Sequence, residues 1–335
     1  MKTHLRVLLF FVFASLVLTY PLVLHLRTGV ADENYVDSLL ATWAIRWDIH
    51  ALFTQPLHFF DANIFWPNGN TLAYLEHFFA PAILLGLPLW LIIREPLFVY
   101  NLVLLFSLTL LGFFFYLLAF RLTKNHWAAL IAGIAYAFAP YRFAHMAHLQ
   151  MFTLFFLPLA LFFLDLFIEK KRVRDIFLFW LFFLLQILTG GYVAWIALLA
   201  TFSFGAVKLV IAWRTLSRRN LAYLLLAVLV CLAIAFLFYR PYNELLQLPH
   251  FSISYDEQLS FSASFRDYLT VRGINRLYSW LASLKLWTQP GTWEYYETIL
   301  FPGLIATALA IIGVIWHKAK IRFAFLLMVV LGVFL

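Results

Sequence analysis

The sequence predicts an all-α fold: a polytopic helical bundle in a membrane, with amphipathic helices lying on its outer surface. Two observations carry this. Of 335 residues, 64% are hydrophobic and only 12% are charged, with a mean hydropathy of +0.89. Soluble domains sit near ~45–50% apolar and ~25% charged. The apolar residues also fall in runs close to the ~20 residues a helix needs to cross a bilayer.

The first run, "LRVLLFFVFASLVLTYPLVLHL", follows Lys2 and Arg6. It is long and lacks a small-residue cleavage pattern, so it reads as a retained span over 5–26 rather than a signal peptide. Further spans are expected at 97–119, 149–168, 192–213, 220–239 and 298–317, with shorter ones at 127–140 and 175–190. A last run, 323–335, is too short to cross as a helix at 1.5 Å per residue, so the chain is expected to end in mid-span, truncated at its C-terminus. The whole of 1–335 reads as one transmembrane domain with two large outer loops, 27–96 and 240–297. The lone Cys231 lies in an apolar run and says nothing about redox environment.

Segment 78–93, "FFAPAILLGLPLWLII", decides the parity of everything after it. Cytoplasmic loops carry the excess of Lys and Arg. If 78–93 does not span, Lys2, Arg6, Arg121, Lys124, the "EKKRVR" loop, Arg214, Arg218, Arg219, Lys318, Lys320 and Arg322 share the inner side. Thirteen of the sixteen acids then fall outside. If it spans, two basic loops move outside. The first layout obeys the rule, so 78–93 is expected to be re-entrant or interfacial. The N-terminus is then cytoplasmic, in a multi-pass protein of the cell membrane whose functional face is extracytoplasmic.

The first outer loop opens with "ADENYVDSLLATWAIRW". Val36, Leu40, Trp43 and Trp47 form a stripe that reads as a surface helix anchored by its tryptophans. Asn34 and Asp37 approach a capping box, so Asp37 reads as a capping acid. Glu33 is either a solvated loop charge or part of the chemistry. Asp32 has no duty in the helix or its cap. It is either an ordinary outer acid or a carboxylate at a cavity mouth, free for chemistry or metal binding.

The turn "APYRFAHMAHLQ" carries Arg142, His145, His148 and Gln150. The two histidines share a face at this spacing. A zinc site wants three or four ligands, which Asp32 and Glu76 would have to complete; polar interface residues are the simpler alternative. Arg142 offers a rigid donor fork suited to phosphate, with snorkelling as the bland alternative. The large outer loop holds Tyr255, Asp256, Glu257, Arg266 and Asp267 and reads as a partly helical cap, with Arg240 and Arg266 as further phosphate contacts and Tyr255 as a supporting residue.

Within the spans only Asp165 and Lys208 are charged, near the inner ends, which argues against an ion-coupled pump or a voltage sensor. There is no Walker A, GxSxG, HExxH or dinucleotide fingerprint. No basic tract suits nucleic acid, and the +8 charge has a topological cause.

Several stretches bring a family into view: "GVADENYVD" after the first span, the "P…LPL" segment, "NLVLLFSLTLLGFFFYLLAFRLT", "HWAALIAGIAYAFAPYRFAHMAHLQ" and "SYDEQLSFSASFRDYL". Together they resemble the polytopic glycosyltransferases of the GT-C superfamily, in its broad bacterial and archaeal part, over residues 1 to about 320. The resemblance implies a GT-C-like bundle that transfers a sugar from a polyprenyl-phosphate donor to the hydroxyl of a lipid, glycan or protein acceptor at the outer membrane face. It implies Asp32 as the catalytic or metal-linked carboxylate, with Glu33 as its neighbour and possible substitute. Relatives often carry a second acid where this chain has His145, His148 and Gln150, so the use of a divalent metal, on Asp32 and His148, stays open. Two other functions compete: a transporter or flippase of a lipid-linked sugar, and a non-catalytic membrane assembly protein.

Overall fold

The computed structural model describes residues 2–32, 35–247, 254–260, 262–272, 275–283, 299–316 and 318–334. Among them the regular structure is entirely helical. The labelled helices are α1 (Lys2–Leu18), α2 (Tyr35–Thr54), α3 (Phe79–Ile93), α4 (Pro96–Thr123), α5 (His126–Ala137), α6 (Phe156–Lys170), α7 (Val173–Ile187), α8 (Gly191–Ala212), α9 (Arg218–Phe238), α10 (Arg240–Leu245), α11 (Leu304–Trp316) and α12 (Arg322–Phe334). Among the described residues four stretches are long and apolar enough to cross a bilayer: α4, α8, α9, and α6 together with the turn that leads into it from Leu149. The chain is therefore a multi-pass helical membrane protein.

Helix ends follow local chemistry. α1 stops at Leu18, short of the expected 26, because Pro21 has no N–H to continue the ladder. Asn125 starts α5 by accepting the N–H groups of Trp127 and Ala128 at 2.9 and 3.1 Å. Ser217 caps α9 in the same way, through the N–H of Asn220. The expected 127–140 and 175–190 segments shorten to the twelve residues of α5 and the fifteen of α7.

Segment 78–93 forms one helix, α3. Pro88 would leave a regular turn unpaired, and the backbone answers with a π turn over Ala82–Gly86, the Leu87 N–H reaching the Ala82 carbonyl. α3 is too short to count among the candidate spans.

α2 is a correction to the sequence reading. Its buried face is Ala41, Ala44, Ile45, Asp48 and Ile49, packed against α3 and α4, while Val36 and Leu40 of the expected anchor stripe are exposed. Small residues let the helix axes approach. Trp47 is a core residue whose indole donates to the Phe59 carbonyl at 3.0 Å. Arg46 lies over the Trp90 ring at 4.2 Å and ties α2 to α3.

α4 is central, packing on α1, α2, α5 and α6, while α6 and α7 pair and α8 joins α6, α7 and α12. α1, α4 and α5 approach through Gly112 and Gly133. The ends of α4, α6 and α8 meet in an ion network. Arg121 Nε lies 2.6 Å from Asp165 Oδ2 and Nη2 lies 2.5 Å from Glu169, while Lys208 closes on the other Asp165 oxygen. The two charges expected inside the spans thus neutralise each other. At 1.5 Å per residue, Asp165 lies roughly 14 Å along α6 from Phe156, so α6 carries this basic end away from the turn that holds the site described below.

The Gly112 contact gives a test. A Cβ there would stand 2.3 Å from the Phe11 ring, itself fully buried. Gly112→Ala is expected to cost on the order of 1–3 kcal/mol through overpacking, lowering the thermal unfolding midpoint in detergent. Phe11→Ala in the same chain should recover part of the Gly112→Ala effect.

Candidate functional site

Opposite the basic end, a cavity of about 160 Å³ is walled by Asp37, Glu76, His148 and Gln150, with Leu40, Ala41, Leu75, Phe78 and Ala147. Its geometry is set by the segment from Leu75 to Phe78, which is pinned on three sides. The Phe78 N–H donates to Asp48 Oδ2 at 2.7 Å. Asp48 is fully buried, and burial holds its carboxyl well above the usual range. The His77 ring meets the Tyr242 hydroxyl at 2.8 Å, and that hydroxyl donates to the Leu75 carbonyl at 3.0 Å. Burial lowers His77 to about 3, so the ring is neutral.

Glu76 makes the third contact. Its carboxylate accepts the N–H groups of Gly191 and Tyr192 at 3.0 and 3.3 Å, at the N-terminus of α8. Free N–H groups and the helix dipole favour an anion there. Desolvation works against that anion and raises Glu76 to about 7, although the two backbone donors pull it down. The turn needs its glycine: a Cβ on Gly190 would lie 2.3 Å from Glu76 Oε2.

The fourth wall is an ion pair. His148 Nε2 lies 3.1 Å from Asp37 Oδ2, with 17% and 38% of the side chains exposed. Asp37 sits in the first turn of α2, where the dipole favours it, but its carboxylate reaches across the cavity mouth to a residue far along the chain. It does more than cap a helix. His145 turns the other way, bonding the Tyr141 carbonyl at 2.7 Å, with its ring 5.7 Å from that of His148.

Asp32 takes a different partner. Its Oδ2 lies 3.2 Å from Arg272 Nη1, with side chains 7% and 14% exposed. The loop before it is tied down by Asn101, whose amide donates to the carbonyls of Leu26 and Gly29 at 2.9 and 2.8 Å. Asp32 and Asp37 both act electrostatically on the buried Tyr100 hydroxyl, and neither Asp32 nor Arg272 lines the cavity. The Arg272 stretch is held from behind: Leu300 N–H donates to the Asp267 carbonyl at 3.1 Å, and Val271 is buried.

The structure thus brings Glu76, His148 and Gln150 together and adds Asp37. It does not bring the expected arginines to the cavity. Arg142 is 1% exposed, its guanidinium donating to the carbonyls of Tyr136 and Met151 and lying over the rings of Tyr136 and Tyr141. It braces the turn instead of offering a fork to phosphate. Arg240 pairs with Glu244 at 2.7 Å on the surface. Arg266 and Tyr255 are exposed, and neither lines the cavity. Glu33 and Asn34 lie outside the described residues. Among the described residues no three His, Cys, Asp or Glu side chains gather at metal-binding spacing. Asp32 and His148, the expected metal ligands, are engaged by Arg272 and Asp37.

Sequence reasoning passed over Arg272 and did not foresee the contact of Asp37 with His148. The adjacent polar pair Glu76-His77, between "YL" and "FF", and the glycines after Thr189 were the available signals. No protein-family model, curated protein or solved structure matches the chain. Fold and site together define a polytopic helical membrane protein with a carboxylate–imidazole pair in a cavity at one end of its bundle.

Glu76 makes a pH prediction. Its folded value lies above its ordinary 4.5, so between about 4.5 and 7 the folded state binds the extra proton. The Glu76 contribution to stability should therefore fall as pH rises through that window and level off above it, while His77, lowered to about 3, contributes with the opposite sign below 6.5. The unfolding midpoint of the parent minus that of Glu76→Gln, followed against pH, isolates the Glu76 part and should decrease through the window.

Proposed function

We propose that the protein is a membrane glycosyltransferase of the GT-C kind. It would move a sugar from a polyprenyl-phosphate donor to the hydroxyl of a lipid, glycan or protein acceptor. The observation that carries this reading is the Asp37–His148 pair at a cavity mouth, 3.1 Å apart and partly open to solvent. The GT-C resemblance supports the same reaction but points to Asp32 and Glu33; because Asp32 is paired with Arg272, this reading takes Asp37 as the base instead.

In this reading Asp37 accepts the proton of the acceptor hydroxyl while His148 fixes the carboxylate. The acceptor oxygen bonds the anomeric carbon, the bond from that carbon to the phosphate oxygen breaks, and the phosphate leaves with the electron pair. Arg272 takes the role first given to Arg142, holding the leaving phosphate, and Asp32 positions Arg272. Glu76, seated on α8, keeps the inner wall in register. The excess of Lys and Arg in the loops at the opposite end supports an extracytoplasmic site and a cytoplasmic N-terminus.

The test is sugar transfer by the purified chain in proteoliposomes containing a polyprenyl-phosphate sugar and a panel of acceptors. Asp37→Asn should lower the rate at least ~100-fold, the lower range for loss of a general base. Asp32→Asn should act more weakly, chiefly by raising KM for the donor. Full transfer by Asp37→Asn would remove it as the base. Movement of the donor across the bilayer without transfer would favour a flippase.

A further inference from the structure

We propose that a second concavity binds a single-chain amphiphile from the bilayer, one with a neutral, hydroxyl-bearing headgroup. The groove, about 390 Å³, lies between the end of α2, the loop after it and the corner where α9 passes into α10. Its volume falls within the usual range of small-molecule sites. The Glu76–Phe79 segment divides it from the site cavity: Glu76 and Phe78 line the cavity, and Phe79 lines the groove.

The groove has two kinds of wall. Leu52, Phe59, Phe79, Leu237 and Phe238 make one side apolar. Leu237 and Phe238 belong to the last turn of α9, a candidate span with only 17% of its most apolar window buried within the protein. The outward face of α9 therefore meets lipid, and the groove continues that face. A tail can enter from the bilayer without leaving an apolar surface.

The other side is polar and braced. Asp61 Oδ1 accepts the Asn70 N–H at 2.7 Å, and Oδ2 lies 3.1 Å from His58 Nδ1. The Asn70 amide donates to Glu244 at 3.2 Å, and Glu244 is held by Arg240. Asp61 is thus a fixed acceptor, and each carboxylate oxygen has room for a further bond from a ligand hydroxyl. Among the described residues no Lys or Arg lines this groove. With no Lys or Arg on the lining and His58 already turned to Asp61, the carboxylate disfavours a phosphate headgroup and suits hydroxyls.

The groove binds whether or not the protein transfers sugar, so its test uses no activity assay. The full chain in nanodiscs would be exposed to an alkyl glucoside with a photoreactive diazirine in its tail, and the labelled peptides mapped. Label should concentrate in 52–61 and 237–241, be displaced by excess octyl glucoside, and fall about tenfold in Asp61→Asn. Leu237→Lys, at a position already exposed, should lower labelling too and serves if Asp61→Asn does not fold. Label spread evenly along α9 would overturn the proposal, as would equal labelling by a photoreactive fatty acid.

Discussion

The Glu76 carboxylate on the N-terminus of α8 is the contact on which the site geometry rests. It closes backbone donors that a long membrane helix would otherwise leave unpaired, in surroundings where such groups are costly. The same contact fixes the segment from Leu75 to Phe78 between α2, α8 and α10, because His77 and Phe78 are held on either side by Tyr242 and Asp48. The arrangement is tense by design of its parts. Burial opposes the charge that the helix terminus favours, which leaves Glu76 near 7. A missing side chain at Gly190 gives the carboxylate its room.

The far end of the bundle answers this anchor. Arg121, Asp165 and Lys208 bind α4, α6 and α8 together where the basic loops begin. α8 is thus capped at one end and locked at the other, and its capped end holds the Glu76 segment that walls the cavity together with α2. Two concavities then share one dividing segment. The smaller holds the Asp37–His148 pair, and the larger opens along α9 toward lipid. A shift in Glu76 would be felt on both sides.

The spans were legible because a bilayer demands long apolar runs, and α4, α8 and α9 stand close to where the hydropathy of the sequence puts them. Asp165 and Lys208 were legible as the charged residues of the spans, but their pairing with each other was not. Three other features were not legible. The course of α3 depended on a π turn around Pro88, which no apolar pattern reports. The buried face of α2 is made of alanines, whose small size matters only once a neighbour is in place. The pairing of Asp37 with His148 and of Asp32 with Arg272 was not legible, because these partners lie far along the chain. Local rules assign a first-turn acid to its helix, and here a long-range contact gives it a second role. Arg142 misled similarly: an arginine in an outer turn looks available until its donors are found on backbone carbonyls.

The central claim is that the Asp37–His148 cavity receives the reacting end of a lipid-phosphate sugar beside Arg272. The most direct measurement is the structure of the full chain in nanodiscs with a non-cleavable polyprenyl-phosphonate sugar bound. The account predicts the phosphonate against the Arg272 guanidinium and the anomeric carbon facing Asp37. A ligand seated elsewhere, with Arg272 still closed on Asp32 and the cavity empty, would contradict it.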